Sequence, residues 1–230
     1  MRMTLASRIA TLSAALACSL SAHANLLTNG SFETGPAVVP PPPLLSFEPG
    51  STAITGWTVT AGNIDYGING GGSWTASEGA RSIDLNGNTA ATIVQSFATV
   101  VGSTYQVLFD LAGNFYGGSV IKPLRVFAAG QSQDYSFDST GRTAENMGWT
   151  TQAFVFTAST TSTTLSFESL DFAETSTCDN INLGVGPACF GAALDNVRAD
   201  LLQVVPEPAT IALLGVALAG FGFARRRKLH

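Results

Sequence analysis

Thr104-Tyr105-Gln106-Val107-Leu108-Phe109-Asp110-Leu111 is the stretch that decides the fold. Tyr105, Val107, Phe109 and Leu111 fall on one side of an extended chain, and Gln106 and Asp110 fall on the other. That period of two is the signature of a half-buried strand. Working outward, similar runs recur at Ile54 to Thr60, Asn63 to Ile68, Ser82 to Leu85, Thr92 to Thr99, Leu124 to Ala129, Thr151 to Thr157, Thr164 to Leu170 and Ala193 to Leu201. Turn signals separate them: Gly70-Gly71-Gly72, Asn86-Gly87-Asn88, Val101-Gly102-Ser103, Gly117-Gly118 and Ser139-Thr140-Gly141. No stretch between residues 25 and 204 keeps a helical period. Nine or ten short strands at this spacing predict an all-β domain, a β-sandwich or jelly roll. The run from Gly35 to Gly50 reads as an exposed loop, because Pro40 to Pro43 cannot continue a strand ladder.

The two ends carry targeting chemistry. Arg2 and Arg8 precede the apolar run Ile9 to Leu20, and Ala22-His23-Ala24 places small residues where a signal peptidase cuts, so residues 1–24 read as a signal peptide and the mature chain begins at Asn25. At the other end Val205-Pro206-Glu207-Pro208 precedes an uncharged run, Ala209 to Ala224, and then Arg225-Arg226-Arg227-Lys228. Sixteen helical residues reach roughly 24 Å, a short span that snorkelling Arg and Lys can complete. The basic cluster belongs on the cytoplasmic side, which puts residues 25–208 across the membrane. Val205, Pro206, Glu207, Pro208, the apolar run and Arg225, Arg226 and Arg227 together resemble the PEP-CTERM sorting signal of Gram-negative bacteria. The resemblance implies export, recognition by an exosortase that cuts near Pro-Glu-Pro, and delivery to the cell surface or extracellular matrix. A permanent single-pass anchor is the alternative.

Between the ends, residues 25–204 form one expected domain. All 16 acidic residues of the chain precede Ala209, whereas only Arg81, Lys122, Arg125, Arg142 and Arg198 of the 11 basic ones lie in that mature body. Its net charge is therefore −11, which disfavours nucleic acid and anionic surfaces. Both histidines, His23 and His230, lie outside the domain, so a histidine-based nucleophile triad or zinc centre is excluded. Walker-type and dinucleotide motifs are missing as well. Cys178 and Cys189 survive export and predict a disulfide that closes a surface loop.

The order of residues then becomes informative: Asn25-Leu26-Leu27-Thr28-Asn29-Gly30-Ser31-Phe32-Glu33, Gly56-Trp57, Asn63-Ile64-Asp65-Tyr66, Glu78-Gly79-Ala80-Arg81-Ser82-Ile83-Asp84-Leu85, Met147-Gly148-Trp149 and Ala193-Leu194-Asp195-Asn196-Val197. This body resembles the bacterial choice-of-anchor C family, related to plant cell-wall proteins of unknown function. The resemblance implies a galactose-binding-like jelly roll with a variable C-terminal anchor. By the same likeness, a structural calcium is expected between Glu33 and Asp195, ligands of the oxygen type that this ion takes. The alternative is that both carboxylates accept hydrogen bonds from backbone amides where the first and last strands meet.

Sugar binding by a module combines an aromatic face with amide, carboxylate or guanidinium groups. Trp74, Asn114, Tyr116 and Arg125 are the candidates, although Trp74 is equally suited to covering a loop. The expected function is that of an exported, non-enzymatic surface or matrix protein that associates with exopolysaccharide. A structural adhesin contacting proteins is the second reading, and a glycan hydrolase using two carboxylates is the third.

Overall fold

Alternating apolar side chains build eleven strands in the computed structural model, which describes residues 25–37, 44–69, 73–171 and 190–202. They are β1 (Leu44–Phe47), β2 (Thr58–Ala61), β3 (Ile64–Ile68), β4 (Arg81–Asp84), β5 (Thr92–Ala98), β6 (Thr104–Gly113), β7 (Ile121–Ala128), β8 (Gln131–Asp138), β9 (Thr150–Thr157), β10 (Ser162–Ser169) and β11 (Ala192–Leu201). Two antiparallel sheets face each other as a jelly roll, one ordered β1-β3-β4-β11-β6-β9 and the other β2-β5-β10-β7-β8. No helix among the described residues is long and apolar enough to cross a membrane. The signal peptide, the Cys178 and Cys189 pair, Pro40 to Pro43 and the whole sorting tail, including residues 209–224, lie outside the described residues.

Tyr105, Val107, Phe109 and Leu111 point into the sandwich, as the alternation requires. Aromatic rings link the two layers: Phe32 meets Trp57 at 5.3 Å, Trp57 meets Phe167 at 6.2 Å, Phe167 meets Phe109 at 5.2 Å, and Phe109 meets Tyr135 edge-on at 5.1 Å. Each such pair adds about 0.5–1.5 kcal/mol beyond the area it buries. The rings therefore fix how the sheets align.

Two strands depart from the expectation. Leu44–Phe47, inside the run read as an exposed loop, is an edge strand paired with β3. Its half-buried Leu44, Leu45 and Phe47 pack against the core, and burial of that apolar face outweighs the preceding prolines. Gln131–Asp138 is an edge of the second sheet, paired among the described residues with β7 alone. Its first four residues are polar and exposed on both faces, so no alternation announces it.

β11 changes partners along its length. It pairs with β4 only through Ala193 and Leu194, and the register then shifts between Asp195 and Arg198 at a bulge where Asn196 adopts φ 50°. Beyond that bulge the first described residues take over its free edge. Leu26 N–H donates to Ala199 O at 2.9 Å, Val197 N–H donates to Gly30 O at 2.9 Å, and the Asn25 side chain bonds both Val197 O and Ala199 N–H. The expected mature N-terminus is thus clasped to the last strand.

The sandwich has two unlike ends. One, here the proximal end, carries the end of β11 and the β5–β6, β7–β8 and β9–β10 turns, with Leu202 N–H on Thr104 O. The other, the distal end, carries Asp84, Asn114, Lys122 and Gly191.

Candidate functional site

The segment from Ser73 to Ala80 crosses the outer face of the six-stranded sheet, held by carboxylates beneath it. Asp195 accepts Ser77 N–H at 2.8 Å and Glu78 N–H at 2.9 Å on one oxygen and Asn196 N–H at 2.6 Å on the other. Glu33 accepts Ala80 and Arg81 N–H, both at 2.8 Å. Burial pushes the Asp195 carboxyl up to about 7, against the pull of the Glu78, Asn196 and Ser77 amides. Asp110, opposite Asp195 in the ladder, is held below the usual range: burial acts upward, but hydrogen bonds from Ser77, Thr151 and Asn196 outweigh it.

These contacts bear on calcium. Three carboxylate oxygens already receive five amide N–H groups, which leaves few lone pairs for an ion that takes six to eight oxygens. Glu33 and Asp195 as arranged do not fit a calcium cage; they fit the amide-bonding alternative. Trp74 sits in the same segment and requires a correction. It is 2% exposed and gives its indole N–H to Ser82 at 2.9 Å, so it covers the sheet and presents no face for stacking.

At the distal end, fully buried Asp84 gathers three strand termini. It accepts the Asn114 amide at 2.7 Å, Gly191 N–H at 3.0 Å and Asn86 N–H at 2.8 Å. Burial pushes its carboxyl up to about 7, opposed by the Asn114 hydrogen bond and reinforced by neighbouring Asp65. Lys122 runs inward from β7, passing so close to Gly113 that an added Cβ there would lie 2.6 Å from its Cγ. Its ammonium donates to the carbonyls of Gly117 and Phe190, and burial lowers its pKa while Asp84 and Asp171 act against that. Asn114 is therefore a buried structural tie, which corrects its assignment as a ligand contact. Tyr116, two residues on, is half exposed and lies against Phe115 with ring centroids 4.2 Å apart.

Arg125 belongs to a different surface, the outer face of the five-stranded sheet. On β7 the residues Lys122, Leu124, Val126 and Ala128 are buried, so Ile121, Pro123, Arg125 and Phe127 point outward. Register sets their neighbours. Thr92, Glu168, Arg125 and Asp134 form one row across β5, β10, β7 and β8, and Val94, Ser166, Phe127 and Ser132 form the next. Arg125 pairs with Asp134 through two hydrogen bonds of 2.7 and 3.0 Å. Ser96 and Thr164 share a hydroxyl bond at 2.7 Å in the following row. Phe127, 44% exposed, is the aromatic of this face. Sequence reading missed it, although its odd-numbered phase with Arg125 on one strand carried the signal.

The fold and the C-terminal motif define a class: a jelly-roll domain with a sorting signal. The PEP-CTERM protein-sorting motif matches residues 204–228, which implies exosortase handling and indicates export and sorting to the cell surface. The chain belongs to the DUF642 family, described as proteins of unknown function, which matches residues 25–182. Halomucin of Haloquadratum walsbyi is 30% identical over 118 residues, 51% of this chain but 1% of that protein's length. Among solved structures, TmCBM61 in complex with β-1,4-galactotriose is similar at 15% identity and TM-score 0.43, covering 77% of this chain and 99% of that one. The CBM22-1 xylan-binding domain of Paenibacillus barcinonensis Xyn10C is similar at 16% identity and TM-score 0.40, covering 70% and 95%.

Proposed function

We propose that this protein is a non-enzymatic exoprotein that associates with extracellular polysaccharide through the outer face of its five-stranded sheet. The observation that carries the reading is the placement of exposed Phe127 beside Arg125, with Glu168, Ser166, Asp134 and Ser132 on the flanking strands. An aromatic face beside guanidinium, carboxylate and hydroxyl groups suits the two sides of a sugar ring, apolar C–H and polar O–H. Outward residues on β7 recur every second position, so Ile121 to Phe127 offers about 20 Å of surface. An extended chain fits such a surface better than a single sugar. Because Arg125 is already paired with Asp134 and Glu168 stands beside it, the row carries net negative charge, which favours a neutral glycan. Exosortase processing would then leave the domain in the extracellular matrix.

Affinity electrophoresis of the full chain in the host's own polysaccharide tests the reading. Phe127→Ala should weaken retention by roughly ten-fold, the loss expected for one aromatic contact. Arg125→Ala should weaken it as well. Unchanged retention in both variants would remove this face as the site, and loss in Tyr116→Ala alone would move the site to the distal end. Release of oligosaccharides from labelled polysaccharide would overturn the non-enzymatic reading.

A further inference from the structure

The proximal end presents an apolar turn where polar residues ordinarily sit. Val100 and Val101 are 62% and 58% exposed at the β5–β6 connection, and Leu26 and Leu202, on the two chain segments that meet there, are 41% and 43% exposed. The turn is rigid. Ser103 N–H donates to Val100 O at 3.0 Å, Gly102 at φ 80° supplies the left-handed position, and Val100 N–H is held by the Tyr105 hydroxyl at 2.8 Å. Gly102 N–H and Ser103 O also bond Ala158, and Thr99 bonds Thr160 and Thr161. These bonds hold the valines outward, with no local collapse available to hide them.

Charge is distributed to match. The segments Thr99 to Ser103, Ala129-Gly130 and Ala158 to Thr161 contain no charged residue, although the mature body carries a net charge of −11. Arg198 and Asp200, of opposite charge, lie on the outer face of β11 near its end. At the distal end, by contrast, Asp65, Asp84, Lys122 and Asp171 cluster. A net-negative protein meets least repulsion from an anionic bilayer through its uncharged end.

The chain leaves the domain at this same end. Only six residues, 203–208, separate Leu202 from the uncharged run beginning at Ala209, a reach of at most about 25 Å. We propose that the Val100-Val101 turn, with Leu26 and Leu202, rests in the interface of the bilayer that residues 209–224 enter, and so orients the anchored precursor. The tether supplies the effective concentration that two valines alone would lack. In this posture β11 stands along the membrane normal and the β7 face is turned sideways, open to polysaccharide. The inference rests on the reading of residues 209–224 as a membrane span.

The test places a benzophenone-bearing residue at Val101, and separately at exposed Ser119 in the distal β6–β7 connection as a control, in the chain from Asn25 to His230. The protein is reconstituted in phosphatidylethanolamine and phosphatidylglycerol vesicles, and insertion is scored first by resistance to alkaline wash. Irradiation should give lipid adducts at Val101 and none at Ser119, in these vesicles and in host membranes alike. Inserted chain without lipid adducts at Val101 would overturn the docking while leaving the span intact. Adducts only to protein in host membranes would overturn it in favour of a protein partner. Failure of the chain to insert would overturn the span, and the docking with it.

Discussion

Asn114 donates its side-chain amide to the Asp84 carboxylate at 2.7 Å, joining the end of β6 to the end of β4 across β11. Gly191, which leads into β11, donates its N–H to the same carboxylate at 3.0 Å, so one buried side chain closes three neighbouring strands. Asn114→Ala would leave the buried carboxylate short of a donor. We expect a loss of about 1–3 kcal/mol in denaturant unfolding with little change in glycan retention, whereas a ligand role for Asn114 would give the opposite pattern.

Asp84 and Asp195 are both raised by burial to about 7, and Asp65 and Asp171 are shifted in the same direction. A carboxyl whose folded pKa is raised binds its proton more tightly when folded, so it favours the fold at low pH. That contribution is fully present below about 4 and is lost as pH rises through about 7. Melting temperature should therefore fall between pH 5 and pH 8. Asp110 acts in the opposite sense, but only below the ordinary carboxylate range. A profile that is flat, or that rises across this window, would contradict the burial of Asp84 and Asp195.

Gly30 lies against β11 so closely that an added Cβ would stand 1.7 Å from Val197 O. The contact is with backbone, which cannot rotate aside. Gly30→Ala should unclasp the N-terminal segment and cost about 1–3 kcal/mol, the range for overpacking. Hydrogen exchange at the Val197 and Ala199 amides, both bonded to that segment, should accelerate most.

Because Glu33 and Asp195 bond amides, chelation should leave the melting temperature unchanged. Asp195→Ala should instead release Ser77 and Glu78 and cost about 1–3 kcal/mol, because their backbone N–H groups lose their acceptor. Early proteolysis within residues 73–80 would report that release. A drop in melting temperature on chelation would reinstate an ion at this place.

How much was legible depends on which forces act locally. Alternation in β6 was readable because burial of one face imposes a period of two on the sequence itself. Leu44–Phe47 was hidden by its prolines, and Gln131–Asp138 by its solvent exposure, since an edge strand needs no apolar face. Trp74 and Asn114 were plausible ligand contacts by residue type alone. Burial reassigned both, and whether a side chain is covered depends on segments distant in the chain.

The sequence by itself determined the all-β class, the sorting motif, the acidic body and the histidine-free chemistry, because composition and short-range order carry those properties directly. Only the tertiary structure decided that Arg125 shares an outer face with Phe127 and Glu168, and that Val100 and Val101 stand beside the chain exit at Leu202. Those neighbours are set by strand register and sheet order, which depend on the simultaneous burial of residues far apart in the chain.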